Sequence, residues 1–183
     1  MRMRASVRDA MLAAVPSLRA FAISLSGNVD RADDLVQETL LRAMANINSF
    51  QPGTNMSAWL FTILRNLFRS EYRKRRREVE DTDGGYAETL KSHPEQHSRV
   101  EFQEFRTALA KLPPDQREAL ILVGASGFSY EEAAAICDCA VGTIKSRVYR
   151  ARTRLSELLS IEGADDFGPD RTTRAILSAG GGS

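Results

Sequence analysis

Cysteine is scarce in this chain. Only Cys137 and Cys139 occur among 183 residues, too few for a disulfide framework or a four-cysteine zinc site, so a reducing compartment is the simpler expectation. Histidine is equally sparse. His93 and His97 stand four apart, but Pro94 between them disfavours the helix that would align both rings on a metal, and no metal is expected. Long apolar runs are missing as well. The opening stretch MRMRASVRDAMLAAVPSLRAF is broken by Arg8, Asp9 and Arg19, so it lacks the unbroken core of a signal peptide, and no later run has membrane-spanning length. A cytoplasmic chain with no membrane partner is expected. Neither a nucleotide-binding P-loop nor a nucleophile beside a base is present. That excludes the common enzyme classes and predicts a binding protein without a cofactor.

An excess of one charge is also missing: the formal net charge is +1, so any site for a polyanion must come from local segregation. Segregation is what the chain has. Between Arg65 and Glu78 lie Arg65, Arg69, Arg73, Lys74, Arg75, Arg76 and Arg77 against Glu71 and Glu78, a balance of +5. Lys145, Arg147, Arg150, Arg152 and Arg154 follow later with no acid among them. From Glu78 to Glu101 the sign reverses, seven acids facing Lys91 and Arg99. Two basic blocks thus flank an acidic spacer, which reads as a solvated tether and whose charge could also discourage DNA binding.

Periodicity predicts an all-α fold of two small helical domains joined by an acidic flexible linker. Residues 1–77 form the first domain, 78–100 the linker, 101–162 the second domain and 163–183 a flexible tail in which Ala175, Ile176 and Leu177 could dock a partner. A first helix starts near Ser6 and stops at Gly27-Asn28; Asp30 is a plausible N-cap of a second, whose apolar residues are Val36, Leu40, Ala43, Met44 and Ile47. Ser49 to Asn55 is a loop turning at Pro52-Gly53, and a third helix from about Met56 to Arg77 buries Leu60, Leu64 and Leu67. Beyond the linker a helix from Val100 to Ala110 leads to Pro113-Pro114, where another helix starts.

Ser129-Tyr130-Glu131-Glu132 then fits a capping box, Ala133 and Ala134 allow close approach, and a turn around Cys137 to Ala140 leads into Val141, Ile144, Val148, Ala151 and Leu155 at spacings of three and four. The pattern is a helix-turn-helix. Thr143, Ser146, Tyr149 and Arg150 project away from the buried stripe, with Lys145 and Arg147 on its flanks. Hydroxyls, an aromatic ring and guanidinium groups suit the major groove and its phosphates; the plainer alternative is a basic solvated face. Cys137 and Cys139 sit in the turn and read as small buried hydrophobes.

SYEEAAAICDCAVGTIKSRVYRARTRL, Ser129 to Leu155, closely resembles the promoter-reading region 4.2 of group 4, extracytoplasmic-function (ECF), bacterial sigma factors. DDLVQETLLRA, Asp33 to Ala43, resembles their region 2.2, and WLFTILRNLFRSEYRKRRR, Trp59 to Arg77, regions 2.3 and 2.4. The resemblance spans about Ala10 to Ile161, three motifs in the family's order. It implies a region 2 bundle at 1–77, a region 4 helix-turn-helix at 101–162, and a sigma factor that binds core RNA polymerase and directs promoter-specific initiation. Ser70 stands where many ECF sigma factors have aspartate, and Ser70-Glu71-Tyr72-Arg73-Lys74 resembles the EcfG group instead. That group implies general stress genes, a NepR-type anti-sigma factor covering both domains, and a PhyR-type response regulator whose sigma-like domain draws the inhibitor away.

Residue by residue, Asp34, Gln37 and Glu38 share one polar helix face; acceptors there suit an arginine-bearing partner, and the resemblance makes that partner the β′ clamp helices. Trp59, Thr62, Asn66, Ser70, Arg73 and Arg77 fall on one side of the third helix, a surface suited to single-stranded DNA. The resemblance implies that Phe50 and Asn66 help hold a flipped base of the minus-10 element and that the loop Phe50 to Met56 sets specificity, with Trp59, Arg73 and Arg77 beside them. Trp59 is alternatively core packing. Thr143, Lys145, Ser146, Arg147, Tyr149 and Arg150 would read the minus-35 duplex, a GGAAC-type element paired with a GTT-containing minus-10 element. Two competing classes are a stand-alone helix-turn-helix regulator, for which no dimer helix is evident, and a sigma-mimicking adaptor, against which the DNA-suited charges argue. A monomer is expected when free.

Overall fold

The computed structural model describes residues 5–80 and 98–160, with side chains from 6–78 and 103–160. Most of the acidic stretch, His93 and His97, and the tail with Ala175 to Leu177 lie outside the described residues. Among the described residues seven α-helices and a short 3-10 turn follow in order: α1 Ala5–Ser26, α2 Val29–Ala45, the turn Ile47–Ser49, α3 Met56–Glu80, α4 Ser98–Ala110, α5 Pro114–Gly124, α6 Tyr130–Cys137 and α7 Val141–Leu158. The fold is all-α, as the periodicity predicts.

Helix α1 is long and apolar enough over Ser6–Ser26 to cross a membrane by length and composition. Its apolarity has another use: Met11, Leu18, Phe21, Ala22 and Leu25 are buried in the core, with Phe21 stacked on Phe61 at 4.9 Å between ring centroids. Pro16 lies inside the helix on its exposed side, and the carbonyl deprived of an N–H partner belongs to exposed Leu12, where water can serve instead. Gly27 takes φ +67° and ends the helix.

Asn28, rather than the expected Asp30, caps α2; its side-chain oxygen accepts the Arg31 N–H at 2.9 Å, and Asp30 falls in the first turn, where its charge still favours the helix dipole. Met44, expected inside, is 52% exposed, because Leu35, Val36, Thr39 and Ala43 form the inward face and the helix stops one residue after Met44. Leu60, Phe61, Leu64 and Leu67 of α3 close the bundle beneath them. Helix α3 runs three residues beyond the expected Arg77, and α4 begins two residues before the expected Val100.

In the second half, Pro113 precedes α5 and Pro114 opens it, a position where a missing N–H costs nothing. The capping box at Ser129 is complete: the Glu132 N–H donates to the Ser129 hydroxyl at 3.0 Å, and the Ser129 N–H donates to the Glu132 carboxylate at 2.9 Å. Asp138 ends α6 in the left-handed region at φ +51°, and α7 packs back through Ile144, Val148, Ala151 and Leu155. Buried Ala133 and Ala134 keep the contact between these helices close. A separate small cluster, Ala108, Leu112, Ala151 and Leu155, ties α4 and α5's approach to α7.

One core runs through both halves. The cluster that starts at Met11 continues through Leu60 and Phe61 into Leu122, Phe128, Ile136 and Val148. Helix α3 packs on α6 and α1 on α5. Phe61 meets Phe128 edge-on at 4.9 Å across the junction, so the two helical sets are docked on each other.

Candidate polymerase and nucleic-acid interfaces

The acidic face of α2 is displayed because Leu35, Val36 and Thr39 turn inward. Asp34 and Gln37 are exposed; Glu38 is half-buried and accepts from Arg42 Nε at 2.7 Å, one helical turn away. Asp33 is engaged differently, receiving Arg19 Nε at 2.6 Å and holding α1 to α2. Leu41, 61% exposed, continues the same face with an apolar side chain that a search for acceptors does not mark. Its signal is spacing, four residues after Gln37.

On α3 the register sends Leu60, Leu64 and Leu67 into the core and leaves Asn66, Ser70, Arg73 and Arg77 exposed, with Thr62 half-buried. Arg73 and Arg77 lie along the helix, donating to the carbonyls of Arg69 and Arg73 at 3.3 and 3.4 Å. Trp59 and Phe50 are each half-buried, and their ring centroids are 5.2 Å apart. The tryptophan therefore packs against the loop residue that the family resemblance pairs with Asn66, and its ring supports Phe50 while remaining half-buried. Beside this surface Arg31 of α2 lies over the Phe68 ring at 5.3 Å and 3.8 Å from Glu71.

Arg65 departs from the basic block in which the sequence counts it. Its residue is 2% exposed, and its guanidinium is turned away from solvent into the junction with α5 and α6. Asn55 is a second contact that sequence reasoning passes over: its side-chain oxygen accepts the Ala58 N–H, and its amide donates to Glu132 at 2.8 Å. Hydrogen bonds from the Ser129 backbone and from Asn55 hold the Glu132 carboxyl below its ordinary range.

On α7, Tyr149 is 68% exposed and Lys145 and Arg150 are exposed, the Lys145 ammonium standing 5.8 Å from the Tyr130 ring centroid. Thr143 and Ser146 are half-buried, and the Ser146 hydroxyl donates to the Thr143 carbonyl at 3.0 Å. Arg147 is committed within the protein. Its Nε lies 3.2 Å from Asp115 of α5, and its Nη1 is 3.9 Å from Cys139 Sγ. Cys137 is buried, and desolvation first, with Glu118 next, pushes its thiol up to about 12, so it stays a protonated small hydrophobe. Among the described residues no group of three His, Cys, Asp or Glu is arranged to hold a metal ion.

Comparison with known proteins follows the same two halves. Residues 11–78 match Sigma-70 region 2, and residues 102–155 match Sigma-70, region 4. The chain is 77% identical to the ECF RNA polymerase sigma factor EcfG of Rhodopseudomonas palustris over 96% of its own length and 97% of the relative's. Among solved structures it is similar to the sigma factor RpoE of Bartonella quintana, crystallised with the anti-sigma factor NepR: 59% identity, TM-score 0.79, covering 85% of this chain and 97% of that one. A PhyRSL–NepR complex from Sphingomonas matches at 22% identity and TM-score 0.63 over 84% of this chain and 90% of that one, a likeness of fold alone.

Proposed function

Because this chain belongs to the ECF sigma factors of the Sigma-70 family, in the EcfG group, we propose a residue-level account of how it delivers RNA polymerase to its promoters. It is not an enzyme; it is a promoter-specific initiation factor that binds core polymerase and promoter DNA. Residues 1–77 act as the polymerase-binding and minus-10 unit and 101–162 as the minus-35 unit. Core polymerase is met by Asp34, Gln37 and Glu38, whose acceptors suit arginine on the β′ clamp helices, with Leu41 adding apolar contact.

The observation that carries the DNA assignment is the pair of outward surfaces: exposed Asn66, Ser70, Arg73 and Arg77 on α3, and exposed Lys145, Tyr149 and Arg150 on α7. Asn66 offers an amide to the edge of an unpaired base, Phe50 backed by Trp59 offers a ring face, and Arg73 and Arg77 follow the strand's phosphates. Unstacking a base costs a few kcal/mol, which these contacts offset. On the duplex, Arg150 is placed to donate to a base edge while Lys145, Thr143, Ser146 and Tyr149 position the helix; Arg147 acts through Asp115 instead.

Its genes are those of the general stress response, transcribed in the cytoplasm under a NepR-type inhibitor, as supported by kinship with EcfG and with an RpoE solved on NepR. A PhyR-type regulator sharing the fold competes for that inhibitor. Run-off transcription tests the proposal: this chain with core polymerase should yield a transcript from a template carrying GGAAC and GTT elements and none from one with a scrambled minus-35 element. Absence of any selectivity between the templates would overturn the assignment of α7.

A further inference from the structure

Lys145 and Tyr130 stand on different helices of the helix-turn-helix, yet the Lys145 ammonium lies 5.8 Å from the centroid of the Tyr130 ring. That is within reach of a cation–π contact, in which the negative face of the ring attracts the charge. Tyr130 is firmly placed. It is the first residue of α6, directly after the Ser129 cap whose box with Glu132 pins that helix end, and its half-buried ring packs against the shared core. Lys145, in the second turn of α7, is exposed.

This contact separates the two cations that flank the buried stripe of α7. Arg147 is held by the Asp115 carboxylate at 3.2 Å, so its charge is spent within the protein. Among the described residues no carboxylate lies within ion-pair distance of Lys145, although Glu131 and Glu132 occupy the same turn of α6 as Tyr130. Glu132 is already committed, accepting from the Ser129 N–H and the Asn55 amide. A ring holds an ammonium without neutralising it. A free lysine gives up the rotamer freedom of a four-carbon stem on binding a phosphate, and a stem already resting on a neighbouring ring gives up less. Because the ring belongs to α6, the direction of the ammonium is fixed by the packing of both helices. In a docked helix-turn-helix the first helix crosses the DNA backbone while the start of the second enters the major groove, which sets the beginning of α6 and the second turn of α7 beside the same strand.

Resting on the sigma-factor reading, we infer that Tyr130 is a positioning residue for promoter recognition, its ring face preorganising Lys145 to meet a backbone phosphate of the minus-35 duplex. Tyr130 acts through Lys145. The contact it improves is to the strand and not to a base edge, so it governs affinity and register while Arg150 governs sequence preference.

The test measures affinity of the full chain, assembled with core polymerase, for a matched promoter over a range of salt concentrations. Tyr130→Leu should weaken binding about two- to five-fold, and Tyr130→Phe, which keeps the ring, should not. Lys145→Ala should lower the slope of log affinity against log salt by about one phosphate contact and abolish any further effect of Tyr130→Leu in the double variant. Pentafluorophenylalanine placed at position 130 keeps the shape of the ring and reverses its charge distribution; it should match Tyr130→Leu in affinity, and it decides the matter if Tyr130→Leu lowers the melting temperature. A loss with Tyr130→Phe equal to that with Tyr130→Leu would assign the effect to the hydroxyl and overturn the proposal. So would a Tyr130→Leu loss that persists in the Lys145→Ala background, a fluorinated ring that binds like tyrosine, or a salt slope indifferent to Lys145. Unaltered holoenzyme that fails to distinguish the matched from a scrambled minus-35 element would overturn the sigma-factor reading and this role with it, whereas a selective holoenzyme showing any of the preceding outcomes overturns the role of Tyr130 alone.

Discussion

At the scale of single residues, the basic positions of α3 and α7 divide into those that face outward and those the fold consumes. Arg147 and Arg150 stand three apart on α7, yet Arg147 is paired with Asp115, its side chain 21% exposed, while Arg150 is exposed. Arg150→Ala is therefore expected to cut the preference of the polymerase holoenzyme for a matched over a scrambled minus-35 element by about 1–3 kcal/mol, roughly 5- to 150-fold, with an unchanged melting temperature. Arg147→Ala should behave the other way, lowering the melting temperature slightly and leaving the matched-over-scrambled preference intact, because it loses an ion pair to α5 while Ile144, Val148 and Ala151 keep α7 packed. Competition binding and thermal scans separate the two. Helical register sets Arg150 outward and Arg147 on the flank of the buried stripe, but Lys145, also on a flank, stays exposed, so only the placement of Asp115, thirty-two residues earlier, shows that Arg147 is paired. Cys137 is a further residue-scale case: with its thiol raised to about 12 by burial, it should resist alkylation at neutral pH in the folded chain and react once the chain is denatured.

Elements were the most legible level, because their signals are local. The capping box at Ser129, the Gly27 stop and the Ile144-Val148-Ala151-Leu155 stripe each lie within one or two turns of helix, and each occurs in the structure. The errors were local too: Asn28 and Asp30 are both competent N-caps, and only the backbone path into α2 selects Asn28. Ser129→Ala should cost about 1 kcal/mol through loss of a cap. Glu132 carries an additional pH dependence. Its folded carboxyl is held below the unfolded value, so its contribution is fully present above about pH 4.3 and is lost as the pH falls through the lower folded value. The stability difference between the unaltered chain and Glu132→Gln should accordingly be largest near neutral pH and shrink on acidification, as read by denaturant unfolding. A difference that stays constant to pH 3 would mean that shape, not charge, makes the contact with Asn55 and Ser129.

For the whole molecule, what escaped the sequence is the docking of its halves. Arg65 and Glu118 are fifty-three residues apart and look like ordinary solvated charges in a helix, and nothing in periodicity pairs them. Phe61 and Phe128 are likewise each explicable within their own half. Once docked, the halves share one core, and sharing a core has a thermodynamic signature: unfolding either half exposes apolar surface of the other. The unaltered chain should therefore melt in a single calorimetric transition at low salt and neutral pH. Phe128→Ala removes the edge-on contact and leaves a cavity at the junction, a change of about 3–5 kcal/mol for a buried phenylalanine. Much of that loss falls on the docking contact, so the second half should separate from the first and melt earlier as a distinct transition. Leu64→Ala is the control, for Leu64 is fully buried within the first bundle. It should lower stability by about 2–5 kcal/mol. Its loss falls first on the α1–α3 bundle, so the early transition should then belong to that bundle. Calorimetry with tryptophan fluorescence, which reports only on Trp59 and so on the first half, identifies which half melts first in each variant. A Phe128→Ala chain that loses Trp59 packing in the same transition as all its helices would mean that the remaining junction contacts, Arg65 with Glu118 and Asn55 with Glu132 among them, suffice to keep the halves cooperative.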